Sequence, residues 1–178
     1  MKKTEKAARR RLERGEDMTL KNKYCINLLS FNLLNQDGKR VYILERNGTA
    51  LKEYTCKFIV FLDHDFLEKL NNEDGFFYLS VFSIDNKPLI FQQIDLSPNQ
   101  IPRSGLIEIA FKLSIPTHLE DFDLKADHPK KVIKYPKNKI KLQLSFSRSN
   151  LKDQSFYSDL EDGTFIDTVI PIKEATNG

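Results

Sequence analysis

Residues 51–62 read LKEYTCKFIVFL, and their alternation decides the fold. Tyr54, Cys56, Phe58, Val60 and Leu62 fall on one side of an extended chain, with Glu53, Thr55 and Lys57 on the other. Successive side chains of a strand point to opposite faces, so this stretch is a strand with one buried and one exposed face. The same pattern recurs outward from it. Residues 105–115 (GLIEIAFKLSI) turn Ile107, Ile109, Phe111, Leu113 and Ile115 inward. Residues 139–149 (KIKLQLSFSRS) do so with Ile140, Leu142, Leu144 and Phe146. Residues 76–84 (FFYLSVFSI) are apolar on both faces, which predicts a central strand covered on both sides.

Turn signals separate the remaining strands. Residues 23–35 end at Gln36-Asp37-Gly38-Lys39, and residues 40–46 (RVYILER), read as one strand, end at the hairpin signal Asn47-Gly48. Residues 89–96, 131–135 and 165–172 complete the set, with 155–159 as a further short strand. One helix is predicted near 65–72, with Asp65 as N-cap, Glu68 three residues on, and Leu67 and Leu70 as its apolar face. Eight to ten short strands leave no room for the long crossovers of a parallel sheet. The expected fold is all-β: an antiparallel β-sandwich, jelly-roll or immunoglobulin/C2-like, with strand order open.

The chain has 178 residues, 40% hydrophobic and 30% charged, enough apolar mass for one core. The expected organisation is a basic N-terminal arm over 1–22, helical or disordered, a single sandwich domain over 23–173, and a short tail over 174–178. No apolar run reaches 18 residues, and the basic N-terminus is not followed by an apolar segment. The expectation is therefore an intracellular protein, cytoplasmic, nuclear or within a virion, without a signal peptide.

The net charge of +3 conceals a partition. Residues 1–23 hold nine Lys and Arg against four Asp and Glu, a net +5, which leaves −2 for the rest. Lys2, Lys3, Lys6, Arg9, Arg10, Arg11 and Arg14 make the arm a candidate for neutralising phosphates with release of counterions. A second candidate is the stretch around Lys130, Lys131, Lys134, Tyr135, Lys137 and Lys139, where no acid lies among residues 129–141. Strand alternation sets Lys139 and Lys141 on an outer face, with Tyr135 as an aromatic partner for a nucleic-acid base. Exposed lysines also guard edge strands against aggregation, and a charged arm also serves as a solubilising tail.

Other chemistry finds less support. Cys25 and Cys56 both lie in strand-like stretches and read as buried, reduced thiols. His64, His118 and His128 show no metal-ligand spacing. The run Glu120, Asp121, Asp123 and Asp127, and a second set of Asp159, Glu161, Asp162 and Asp167, offer carboxylates without a calcium-loop pattern. Asp63-His64-Asp65 suits either an acid–base histidine or a helix start. Asn47-Gly48-Thr49 matches a glycosylation sequon but is explained by its turn. No phosphate-binding loop, nucleophile elbow or dinucleotide fingerprint is present.

The expectation is a non-enzymatic binding or structural protein, without cofactor or metal. Its sandwich would contact protein partners or a second copy, while the arm and lysine hairpin contact nucleic acid or another anionic surface. In plan, a basic arm before a sandwich of this size resembles single-jelly-roll viral coat proteins and some matrix or movement proteins. That resemblance implies a viral or mobile-element structural role. A calcium- or anionic-lipid-binding module of the C2 type is the third reading.

Overall fold

The computed structural model describes residues 22–47, 50–83, 86, 88–114, 138–151 and 160–175. Among them are ten strands: β1 (Asn27–Leu34), β2 (Arg40–Val41), β3 (Leu44–Asn47), β4 (Ala50–Leu51), β5 (Tyr54–Phe61), β6 (Gly75–Ser83), β7 (Pro88–Leu96), β8 (Leu106–Leu113), β9 (Lys139–Ser147) and β10 (Thr164–Glu174). One α-helix, α1 (His64–Leu70), follows β5. The strands form two packed sheets, ordered β2-β1-β5-β8 and β4-β3-β10-β9-β6-β7. The all-β, two-sheet expectation thus holds. One pairing departs from the antiparallel rule: β3 runs parallel to β10, with Leu44 opposite Ile172 and Lys173 opposite Glu45.

The core lies where the alternating faces meet. Tyr54, Cys56, Phe58, Val60 and Leu62 are all buried, as are Ile109, Phe111 and Leu113 of β8 and Ile140, Leu142, Leu144 and Phe146 of β9. Each such aliphatic or aromatic side chain contributes about 1.5–3 kcal/mol by leaving water. Phe58 contacts the rings of Phe77, Phe111 and Phe165, which ties β5 to both β8 and the opposite sheet. Phe146 meets Tyr24, Phe66 and Phe77 edge-on. Gly75 makes room for that ring, since a Cβ there would stand 2.2 Å from Phe146 Cζ.

β6 is covered on both faces, as its sequence predicts. It lies between β9 and β7, with Phe77, Leu79 and Val81 in the main core. On its other face Tyr78 joins Leu151 and Leu160, with Phe76 and Phe91 against them. The Tyr78 hydroxyl donates to the Ser149 carbonyl at 2.7 Å and accepts from the Leu151 N–H at 2.8 Å. This phenol therefore pins the 149–151 segment over the sheet.

Several local expectations need correction. Residues 40–46 are not one strand. The chain leaves the first sheet after Val41, bends through exposed Tyr42 and Ile43, and enters the second sheet at Leu44. The helix is capped by Asp63 rather than Asp65, and the Asp63 carboxylate accepts from Phe66 N–H at 3.0 Å. Its buried side chains are Phe66 and Leu70, whereas Leu67 is exposed. β5 runs to Phe61, and Leu62 N–H donates to the Gly105 carbonyl at 2.8 Å, so the chain is free to turn at Asp63. Gly105 needs its φ of +70°, and a Cβ there would lie 2.6 Å from the Leu62 oxygen. Cys25 is exposed, at φ +54° before β1, while Cys56 is buried; both are free thiols. The predicted strands at 131–135 and 155–159 lie outside the described residues.

Candidate functional site

The parallel β3–β10 pairing builds a charged surface at one end of the larger sheet. Isoleucines 140 and 170 oppose each other and face the core, so the alternate residues Lys139, Lys141, Val169 and Pro171 face outward. One step further along β10, Lys173 lies opposite Glu45 of β3. Glu45 is held between two ammonium groups, Lys52 Nζ at 2.7 Å and Lys173 Nζ at 3.1 Å. The hydrogen bonds from Lys52 and Lys173 hold the Glu45 carboxyl below the usual carboxylate range, and Glu45 in turn raises Lys52. Lys141 pairs with Asp167 at 3.2 Å, and Gln143 Nε2 also donates to that carboxylate at 2.8 Å.

The result is a strip of four lysines interrupted by two carboxylates. Each carboxylate is already occupied. Lys139 is exposed and forms no ion pair among the described residues. The strip borders an open cavity of about 450 Å³ lined by Asp37, Tyr42, Glu45, Lys52, Tyr54 and Lys173, among others. The Tyr54 hydroxyl accepts from Glu45 N–H at 2.7 Å, which ties the cavity wall to the core strand β5. Tyr42 is 71% exposed, and the Arg40 guanidinium stacks over its ring at 5.0 Å. Around the opening stand two lysines, Lys52 and Lys173, three carboxylates, Asp37, Glu45 and Glu53, and the exposed ring of Tyr42.

The opposite end of the sandwich is acidic. It carries Asp63, Asp65 and Glu68 at α1, with Glu73 and Asp74 beyond it. Arg148 is bound to Glu73, and Lys69 Nζ lies 3.0 Å from Cys25 Sγ. His64 is exposed and 3.6 Å from Glu68, and its neighbour Asp63 is spent on capping. Among the described residues, no three His, Cys, Asp or Glu side chains come together as metal ligands.

Of the basic residues singled out from sequence as polyanion contacts, Lys139 and its strand neighbour Lys141 are the ones the structure describes. Lys2, Lys3, Lys6, Arg9, Arg10, Arg11 and Arg14 lie outside the described residues, as do Lys130, Lys131, Lys134, Tyr135 and Lys137. Lys52, Lys173, Arg40 and Tyr42 were not among the sequence candidates. They stand alone in the sequence, and only pairing between distant strands brings them together. The acid-free run over 129–141, which holds Lys139 and Lys141, was the one local signal of this surface.

No protein-family model matches the chain, and no curated protein matches it. Among solved structures, the crystal structure of the C-terminal domain of wzt is similar, at 9% sequence identity and a TM-score of 0.46. The match covers 85% of this chain and 75% of that one. Likeness at that level carries no statement about ligand or chemistry. No helix among the described residues is long and apolar enough to cross a membrane.

Proposed function

We propose that the protein is a non-enzymatic binding module that contacts nucleic acid, or a polyanion like it, at the lysine-rich end of its larger sheet. The observation that carries this reading is that Lys139 and Lys173 share the outward face of β9 and β10, with Lys52 joined to Lys173 through Glu45 and the exposed Tyr42, under the Arg40 guanidinium, lining the same opening. The β9 strand begins there, so the acid-free run that precedes Lys139 enters the sheet at the same end. The basic arm would add sequence-independent affinity, because each phosphate contact releases condensed counterions.

The test is a titration of the full-length chain with duplex and single-stranded DNA across a range of salt. Binding is expected to weaken steeply with salt, and Lys139→Gln and Lys173→Gln should each lower the slope by about one counterion unit. Tyr42→Ala should weaken single-stranded more than duplex binding, by about 1–3 kcal/mol if a base stacks on the ring. Salt-insensitive binding, or slopes unchanged in both lysine variants with the fold intact, removes this end of the sandwich from the reading.

A further inference from the structure

The smaller sheet ends at β8, which has β5 on one side and no second strand among the described residues. Its backbone edge, not paired with another strand among the described residues, has a visible orientation. Gln92 Nε2, reaching across from β7, donates to the Lys112 carbonyl at 2.7 Å, so that carbonyl points away from β5. In an antiparallel strand the groups of alternate residues point the same way, so the N–H and C=O of Glu108 and Ala110 also face that edge. Their side chains and that of Lys112 are exposed on the outer face of the sheet. Beside the edge lies an open groove of about 210 Å³, lined by Ile94, Ile107, Ile109 and Ala110 among others.

The sequence along this edge is complementary to itself. Turned antiparallel about Ala110, the strand sets Glu108 opposite Lys112, and Lys112 opposite Glu108, with alanine against alanine at the centre. Ala110 is small enough to leave the central contact unobstructed. Lys57 of β5 already pairs with Glu108 at 2.8 Å, so the row would alternate Lys57, Glu108 and the second copy's Lys112. The same register sets Ile109 opposite the second copy's Phe111 on the inner side of the groove.

We infer that two copies of this chain pair through β8, antiparallel about Ala110, and join their smaller sheets into one continuous sheet. The partner is a second copy because the charge order reads the same from either strand. An arbitrary extended peptide would meet Glu108 and Lys112 without that match. The Lys112 carbonyl keeps a second lone pair for the new strand while Gln92 holds the first. This inference does not depend on any nucleic-acid contact, and its test is run without nucleic acid.

The test is light scattering of the full-length chain from low to high micromolar concentration. The mass should rise from 20.7 kDa toward twice that value. Glu108→Lys and Lys112→Glu each put like charges in both symmetric pairs, and each should raise the dimer dissociation constant by about tenfold or more. The double variant, Glu108→Lys with Lys112→Glu, should restore the wild-type constant to within about threefold, since the cycle isolates the pair. Ala110→Pro removes the central donor on the β8 edge and should give a folded monomer. A single-copy mass at every concentration overturns the inference. So does a dimer that survives both single reversals, or a folded Ala110→Pro dimer. A chain that stays monomeric and takes up an unrelated extended peptide at β8 overturns it as well.

Discussion

Phe146 is the place where three parts of the molecule meet, and replacing it separates two kinds of stabilisation. Its ring centroid lies 5.0 Å from Tyr24, 5.1 Å from Phe66 and 5.1 Å from Phe77, all near edge-to-face. Phe146→Leu keeps most of the buried apolar volume and removes those three ring contacts. At about 0.5–1 kcal/mol each, discounted because they share one ring, the loss is about 1–2 kcal/mol. Phe146→Ala adds lost transfer energy and a cavity beside Gly75, for a total of about 3–5 kcal/mol. The assay is urea unfolding with the slope held constant, followed by tyrosine fluorescence, which suits a chain without Trp. Tyr24 emission should change in both variants. The reasoning is refuted if the Leu variant costs under about 0.5 kcal/mol while the Ala variant costs the full amount. The rings would then act only as volume.

Three further outcomes follow from other positions. Gly105→Ala forces a Cβ into the left-handed region and against the Leu62 oxygen, and should cost about 2–4 kcal/mol in the same unfolding assay; no loss would mean that this turn relaxes freely. Tyr78→Phe orphans the Leu151 N–H and the Ser149 carbonyl, and should cost about 1.5–3 kcal/mol with faster hydrogen exchange at Leu151. Unchanged exchange there would show that another group holds the segment. Burial pushes the Cys56 thiol up to about 12, so at pH 8 one thiol, Cys25, should react quickly with iodoacetamide and the second only on unfolding. The sign follows from the raised value: the unfolded chain releases this proton near 9.0, so stability should fall as pH rises from there toward 12. Two fast thiols at pH 8 would contradict the burial of Cys56.

What was legible in the sequence was what a local period encodes. The inward residues of β5, β8 and β9 follow from alternation alone, and the two-faced apolar run of β6 follows from its cover on both sides. The bend at Tyr42-Ile43 was not legible, because Val41 and Ile43 continue an apolar pattern while the chain changes sheets. The helix start was two residues off because Asp63-His64-Asp65 offers two caps. The choice between them is made by Leu62, anchored to Gly105 more than forty residues away in sequence. The charged end of the larger sheet was legible only at Lys139 and Lys141. Lys52 and Lys173 become neighbours through Glu45, and nothing nearby in sequence announces a parallel pairing between β3 and β10.

That parallel pairing also bears on the order of assembly. β3 and β4 reach their sheet only through β10, and β6 reaches β10 only through β9. On a ribosome, β1, β2 and β5 of the smaller sheet emerge before β6 and β7, and β8 completes that sheet only after the β6–β7 hairpin is out. The larger sheet has to wait, with the β3–β4 hairpin and the β6–β7 hairpin each lacking a neighbour until β9 and then β10 appear. Closing a contact between Leu44 and Ile172 costs more loop entropy than any hairpin in the molecule. Nascent chains are thus most exposed to mispairing just before β10 is released, when two hairpins with unpaired edges share one unfinished sheet. A chaperone that shields strand edges would have its longest period of use in that interval.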